Sequence, residues 1–446
     1  MSAYLDLLMF AAACLVLLLG FPVAFTLAGV ALAFGLIGQS LDIFDMGFFY
    51  ALPQRIYGTM TNEVLIAVPL FVFMGTMLER ARVAEDLLEN MSRLFAGVRG
   101  GLGISVSIVG ALLAASTGIV GASVVLLGML SLGPMMQANY NKSLAVGTAC
   151  SVGTLGILVP PSIMLELMAD RLGTSDASVG KLFMGALIPG IMLGAMYILY
   201  ILIASFLKKD LAPAPKNREP LDARAWLDVL KAVLPPMALI IAVLGSIFFG
   251  IATTTEASAV GAGGAMLMAF VSKRLDMATL KESLYQTSRT SAFIFGIFIG
   301  ATVFASVLRG LGGDEVIESA ITGLPFGTTG VLLTVLFITF LLGFFLDWVE
   351  ITLIILPLVA PVLFKMGVEP VWFAIMFAIC LQTSFLTPPV GFSLFYIKGV
   401  CPPGITTRHI YLGVLPFIAL QLLALALVFW FEPLATWLPN EVYGGG

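Results

Sequence analysis

Two proline pairs are the residues of this chain whose spacing carries chemistry. Pro160-Pro161 closes the segment Gly156-Ile-Leu-Val159-Pro-Pro, and Pro388-Pro389 closes Ser384-Phe-Leu-Thr387-Pro-Pro. Each pair removes two backbone donors and pushes the preceding residue out of helical geometry. The chain is therefore expected to unwind over 156–159 and 384–387. Unwound backbone leaves carbonyls without donors, which is costly in hydrocarbon. A bound cation satisfies them. Carbonyls and hydroxyls at the negative end of a helix make an oxygen cage suited to Na⁺. Ser116, Thr117 and Ser123 are placed to add oxygens to the first break, with Thr154 on its approach. Thr383, Ser384 and Thr387 do the same at the second, with Asp347 nearby. Helices restarting beyond the breaks offer free N–H groups to a carboxylate substrate.

Other chemistry-bearing residues are few. Asp347 and Glu350 flank Trp348 inside an apolar region, and an ionisable group there is a functional candidate, against the alternative of a hydrogen bond to a helix end. Glu256, after Thr253-Thr254-Thr255, reads instead as a helix-start acid. Glu166, Asp170 and Arg171 read as an interfacial cluster. His409 reads as an interfacial residue rather than a ligand. Cys14, Cys150, Cys380 and Cys401 are scattered and read as packing residues, with no disulfide or metal expected. Gly261-Ala-Gly263-Gly264 reads as a close helix contact. There is no G-x-x-x-x-G-K-[ST], HExxH or GxSxG segment, so neither ATP chemistry nor an enzyme is indicated.

The elements that must position these residues are apolar. Of 446 residues, 60% are hydrophobic and 11% charged, and mean hydropathy is +1.06. Soluble domains carry roughly 25% charged residues. About 20 apolar residues cross a bilayer core, and roughly ten to twelve such segments are expected, several interrupted. The opening stretch lacks a basic region and runs at once into a second apolar stretch after Pro22, so it does not read as a cleavable signal. A net charge of −4 offers no nucleic-acid surface. Basic residues gather in three connections, around 80–99, 208–231 and 273–289, which the positive-inside rule puts on the cytoplasmic side. The middle one, with Pro213, Pro215 and Pro220, reads as a tether between halves.

The halves repeat one module. Pro134 precedes Pro160 by 26 residues, and Pro361 precedes Pro388 by 27. Upstream of each lies a polar interruption: Ser116-Thr117-Gly118…Gly121-Ala122-Ser123 in the first half, Gly343…Asp347-Trp348-Val349-Glu350 in the second. The first module is entered from a basic loop and the second from the acidic loop of Asp314, Glu315 and Glu318. The two are therefore expected to be inverted in the membrane, as in secondary transporters with discontinuous helices. The alternative is that the prolines merely kink packed helices.

These segments resemble the large membrane subunit of tripartite ATP-independent periplasmic (TRAP) transporters, the DctM-type permease. The resemblance spans nearly the whole chain. It rests on Ile66-Ala-Val-Pro69-Leu-Phe, Arg99-Gly-Gly-Leu-Gly, the Ser116-Thr117-Gly118 tip, Gly156-Ile-Leu-Val-Pro160-Pro161-Ser162, Thr255-Glu256-Ala257 and Leu386-Thr387-Pro388-Pro389-Val-Gly391. The chain departs from the family pattern at the first tip, where Ser-Gly-Ser is usual, and at Thr254, where proline is usual. The resemblance implies an all-α polytopic membrane protein: an inverted-repeat, elevator-type transporter with two re-entrant helical hairpins and broken helices.

It further implies Na⁺ sites at Ser116, Thr117, Gly156, Val159 and Pro161, and by repeat symmetry at Gly343, Ser384, Thr387 and Pro389. Ser123, Thr154, Asp347, Glu350 and Thr383 are assigned to substrate or gating. The implied division is N-terminal scaffold helices over 1–95, a first transport repeat and following helix over 96–207, a cytoplasmic linker over 208–231, scaffold helices and arm over 232–328, a second transport repeat over 329–400 and a C-terminal helix over 401–446. The implied partners are a small four-helix membrane subunit and a periplasmic substrate-binding protein, working in the lipid bilayer of a bacterial inner membrane on a small organic acid with Na⁺ as coupling ion. Two other readings stay open: a stand-alone Na⁺- or H⁺-coupled anion symporter, and a channel.

Overall fold

The computed structural model describes residues 4–117, 120–214 and 223–443, with the side chains of 115–117 and 223–225 outside that description. Every regular element among the described residues is helical. The N-terminal elements are α1 (Leu5–Leu18), α2 (Val23–Ser40), α3 (Gly47–Tyr50), α4 (Leu52–Met60), α5 (Glu63–Arg80) and the amphipathic α6 (Val83–Leu94). A first hairpin follows, α7 (Gly101–Thr117) and α8 (Val120–Gln137). Next comes α9 (Lys142–Gly153), which tightens into a 3₁₀ turn over Thr154–Ile157 before the chain restarts as α10 (Ile163–Leu172). The long α11 (Val179–Leu207) ends the half.

The second half opens with α12 (Ala223–Phe248), α13 (Thr254–Val271), α14 (Met277–Gly310) and the short α15 (Gly313–Thr322). A second hairpin follows: α16 (Gly327–Leu342), then α17 (Trp348–Ile354) and α18 (Leu356–Lys365), bent by 50° at their junction. Then α19 (Pro370–Leu386) breaks and restarts as α20 (Phe392–Val400). The chain closes with α21 (Thr407–Trp430) and α22 (Pro433–Tyr443).

Six described helices are long and apolar enough to cross a membrane, or eight if each bent pair is one span. Four shorter apolar helices, Leu5–Leu18, Gly101–Ala114, Gly327–Leu342 and Pro370–Leu386, account for the rest of the expected segments. In the last three the shortness has a local cause, because the interruptions cut these hairpin arms and the pre-break helix below full spanning length. Large side chains such as Leu15, Phe25, Phe249, Phe293 and Trp430 are exposed on the outer faces, while Phe183, Phe298, Phe373 and Phe377 fill the interior. That distribution suits a chain solvated by lipid.

Helix starts follow from capping chemistry. Asn141 Oδ1 accepts from the Ser143 and Leu144 amides at 3.0 and 3.2 Å. Thr253 and Glu256 form a capping box at α13, so Glu256 is the exposed helix-start acid its sequence context indicates. His409 completes another at α21, its Nδ1 taking the Thr406 amide at 3.1 Å.

The packing is reciprocal between the modules. The distal arm of the first hairpin, α8, lies against α20, the post-break helix of the second module. The distal arms of the second hairpin, α17 and α18, lie against α10, the post-break helix of the first. Each module thus covers the restart of the other.

Candidate functional site

The two breaks form where the proline pairs predict. In the first, α9 runs into the 3₁₀ turn, and the Leu158 and Val159 amides both bond the Leu155 carbonyl, at 3.0 and 2.8 Å. Pro160-Pro161 follows as a cis bond, and Ser162 Oγ donates to the Ile157 carbonyl at 2.8 Å. In the second, α19 ends at Thr387, whose amide bonds the Ser384 carbonyl at 3.1 Å, and Pro388-Pro389 is again cis. At both sites tighter i→i−3 bonds, from Leu158 and from Thr387, interrupt the helical ladder and leave carbonyls outside it.

Each break faces the interrupted part of its own hairpin. A Cβ added to Gly156 would sit 2.9 Å from the Ala114 carbonyl oxygen near the end of α7. Gly343, which ends α16, meets Ser384 so closely that any Cβ there would collide with the Ser384 hydroxyl. Glycine at 156 and 343 is what permits this approach.

The hydroxyls around the second break are poised as acceptors. Thr383 Oγ1 donates to the Ile379 carbonyl and Thr387 Oγ1 to the Thr383 carbonyl, each at 2.7 Å. A hydroxyl whose proton is committed this way keeps its lone pairs for another ligand. Ser384 Oγ is buried with no hydrogen-bond partner among the described residues. Such an orphaned oxygen, beside backbone that has left the helical ladder, fits a small monovalent cation. Of the residues expected to complete this site, Pro389 is exposed, and its carbonyl already accepts from Tyr411 Oη at 3.1 Å.

At the first site, Gly156, Pro161 and Ser123 are buried and Val159 is half-buried. The side chains of Ser116 and Thr117 lie outside the described residues. Asp347 and Glu350 are tied to one helix start. Asp347 accepts from the Trp348 amide at 2.8 Å, Glu350 Oε2 accepts from the Asp347 amide at 3.2 Å, and together they form the capping box of α17. The second interruption is thereby ordered by its own acids.

Two features escape the sequence reading. One is a fully buried polar cluster on four helices. Gln382 Nε2 and Gln421 Nε2 each reach Thr154 Oγ1 at 3.3 Å, Gln421 Nε2 also reaches Tyr197 Oη at 2.8 Å, and Thr154 Oγ1 donates to the Ser151 carbonyl at 2.7 Å. The signal available was a lone glutamine in each of two apolar runs, 370–386 and 407–430. The other is Glu166, expected at an interface and found fully buried. It sits in the first turn of α10, which restarts inside the protein after the break, with every residue from Ile163 to Ala169 buried.

Residues 9–434 match the profile of the tripartite ATP-independent periplasmic transporter DctM component. The chain belongs to that family. It is 30% identical over 393 residues to the C4-dicarboxylate TRAP transporter large permease of Pseudomonas aeruginosa, covering 87% of this chain and 89% of that one. It is 29% identical over 433 residues to the sialic acid TRAP large permease of Vibrio cholerae, covering 96% of each. A third relative, the isethionate TRAP permease DctMQ of Oleidesulfovibrio alaskensis, is 27% identical and matches over 92% of this chain and 62% of its own length. Among solved structures, the Alcanivorax borkumensis YdaH transporter aligns with a TM-score of 0.63 at 14% identity, over 97% of this chain and all of that one. That likeness concerns the fold. This DctM-family chain is therefore a multi-pass TRAP large permease with paired broken helices.

Proposed function

We propose that this chain is the membrane-translocating subunit of a Na⁺-driven importer of small organic acids. The observation that carries the reading is the second break, where Ser384 Oγ is buried against Gly343 without a partner among the described residues, while Thr383 and Thr387 donate their hydroxyl protons to carbonyls and so keep lone pairs for a ligand. The first break supplies a counterpart at Gly156, Val159 and Pro161, with Ser116 and Thr117 at the facing tip. Two matched cation sites, one per module, couple solute movement to the Na⁺ gradient. The modules move together as an elevator against the scaffold of α1–α6 and α12–α15.

Substrate class and assembly follow from the relatives. Those relatives are transporters named for C4-dicarboxylates, sialic acid and isethionate, all anionic. The helix N-termini restarting beyond the breaks suit such an anion. The DctMQ relative extends well beyond the matched region, which supports a separate small membrane subunit for this chain. A periplasmic binding protein delivers the solute, and the complex sits in a bacterial inner membrane. Reconstitution of this chain with a small membrane subunit and a periplasmic binding protein of the same transporter tests the reading. Uptake of an organic acid that requires the binding protein is expected. Equal uptake by this chain alone would favour a stand-alone symporter, and single-channel currents would refute a carrier.

A further inference from the structure

The paired breaks use no acid on α10, yet α10 buries one. Glu166 has no exposed surface, and neither of its carboxyl oxygens has a hydrogen-bond partner among the described residues. Its neighbours are committed to each other. Asp170, one turn on, takes Asn62 Nδ2 at 2.5 Å and Arg171 Nη2 at 2.7 Å, and the Arg171 guanidinium lies 4.7 Å from the centre of the Phe298 ring.

The elements packed on α10 do not answer Glu166 either. On α17, Asp347 and Glu350 close their own capping box. On α5, Arg80 pairs with Glu282, and Glu63 and Glu79 add only negative charge. On α11, Lys181 pairs with Asp176, Tyr197 bonds Gln421 and Tyr200 meets Phe417 edge to face. On α18, Lys365 reaches Glu318. On α19, Glu369 caps its own helix at the Trp372 amide and Cys380 donates to the Leu336 carbonyl.

A buried carboxylate with no donor and no counter-charge is far more costly than the neutral acid. Either a cation or a proton removes that cost. A metal ion needs several converging ligands, and the described residues hold no cluster of three His, Cys, Asp or Glu side chains. A proton needs one oxygen. Glu166 is carried by α10, the post-break helix that packs against α17 and α18 of the second module. If the modules shift during transport, this is a surface whose solvation changes.

We propose that Glu166 is a proton-binding site that carries its proton in the state described and releases it when α10 parts from the second hairpin. Transport then contains a proton-dependent step separate from the Na⁺ sites, an inference that rests on the transport reading above.

The test reads the carboxyl directly, with no substrate. Infrared spectra of the purified complex near neutral pH should show a protonated-carboxyl band component that Glu166→Gln lacks. Identical spectra would overturn the proposal. Glu166→Leu guards against a folding artefact: a neutral, unpartnered acid tolerates an apolar replacement, so this variant should fold. If both variants failed to fold, the charged form would be the one required, and the proposal would fall. In proteoliposomes with a fixed Na⁺ gradient and succinate as probe, the wild-type rate should vary with pH and the Glu166→Gln rate should not. A Glu166→Gln profile that tracks the wild type would contradict the release step. Absence of succinate uptake in every protein would count against the transport reading and leave the infrared result to decide the protonation state.

Discussion

Gln382 Nε2 lies 3.3 Å from Thr154 Oγ1, joining the second pre-break helix to the first break across 228 positions of sequence. Both groups are fully buried, so the contact is made away from water and lipid alike. It joins the segments that carry the two candidate cation sites in one polar frame, extended by Gln421 to α21 and by Tyr197 to α11. Under the proposed Na⁺ reading, a link of this kind would let occupancy at one break bias the other.

That coupling is measurable. Thr154→Val and Gln382→Leu should each shift the Na⁺ concentration dependence of uptake, and the double variant should fall short of their sum. Interhelical hydrogen bonds in membranes average about 0.6 kcal/mol in double-mutant cycles. A coupling of that order in thermal stability is expected, and strict additivity would show that the two breaks are independent.

Gly343 tests the second site by sterics alone. Gly343→Ala forces a methyl onto the Ser384 hydroxyl. Overpacking of this kind costs about 1–3 kcal/mol. Na⁺ stimulation of uptake should be lost, and Gly343→Ala/Ser384→Gly, which relieves the clash but removes the Ser384 oxygen, should regain thermal stability without regaining Na⁺ stimulation. Unchanged Na⁺ stimulation in Gly343→Ala would remove this contact from the site.

Much of this site is legible in the sequence, because proline and glycine act on the backbone next to them. The breaks at 156–161 and 384–389 and the interruption at 343–350 follow from local sterics and reappear in the fold. The Thr154–Gln382 link does not, since no local rule pairs a hydroxyl in one module with an amide in the other. Glu166 is misread for a related reason. Beside Asp170 and Arg171 it resembles the polar end of a span, and only the inward restart of α10 shows it to be buried.

Thr387 tests ligand character rather than shape. Its hydroxyl already donates to the Thr383 carbonyl at 2.7 Å, so Thr387→Ala removes one capping bond and one oxygen. Folded yield should stay near wild type while the half-saturating Na⁺ concentration rises about tenfold, the equivalent of roughly 1.4 kcal/mol. An unchanged Na⁺ response would exclude Thr387 as a ligand.

Asp276 offers a control outside the spans. It caps α14, accepting from the Thr279 amide at 2.7 Å, and that bond holds its carboxyl below the usual carboxylate range. A carboxyl lowered in the folded state contributes stability above its ordinary pKa, and the contribution disappears as pH falls through the folded value. Asp276→Ala should therefore lower the thermal midpoint at neutral pH and lose that effect in acid, with Na⁺-dependent uptake unaltered. A midpoint difference that persists in strong acid would argue against the cap as its source.

The central claim is that the paired breaks couple solute entry to Na⁺. Initial uptake rates in proteoliposomes holding the full complex, measured with an inward Na⁺ gradient and with a proton gradient in Na⁺-free buffer, test it most directly. The account predicts uptake with the Na⁺ gradient that collapses when Na⁺ is replaced by K⁺. Equal uptake driven by the proton gradient alone would contradict it.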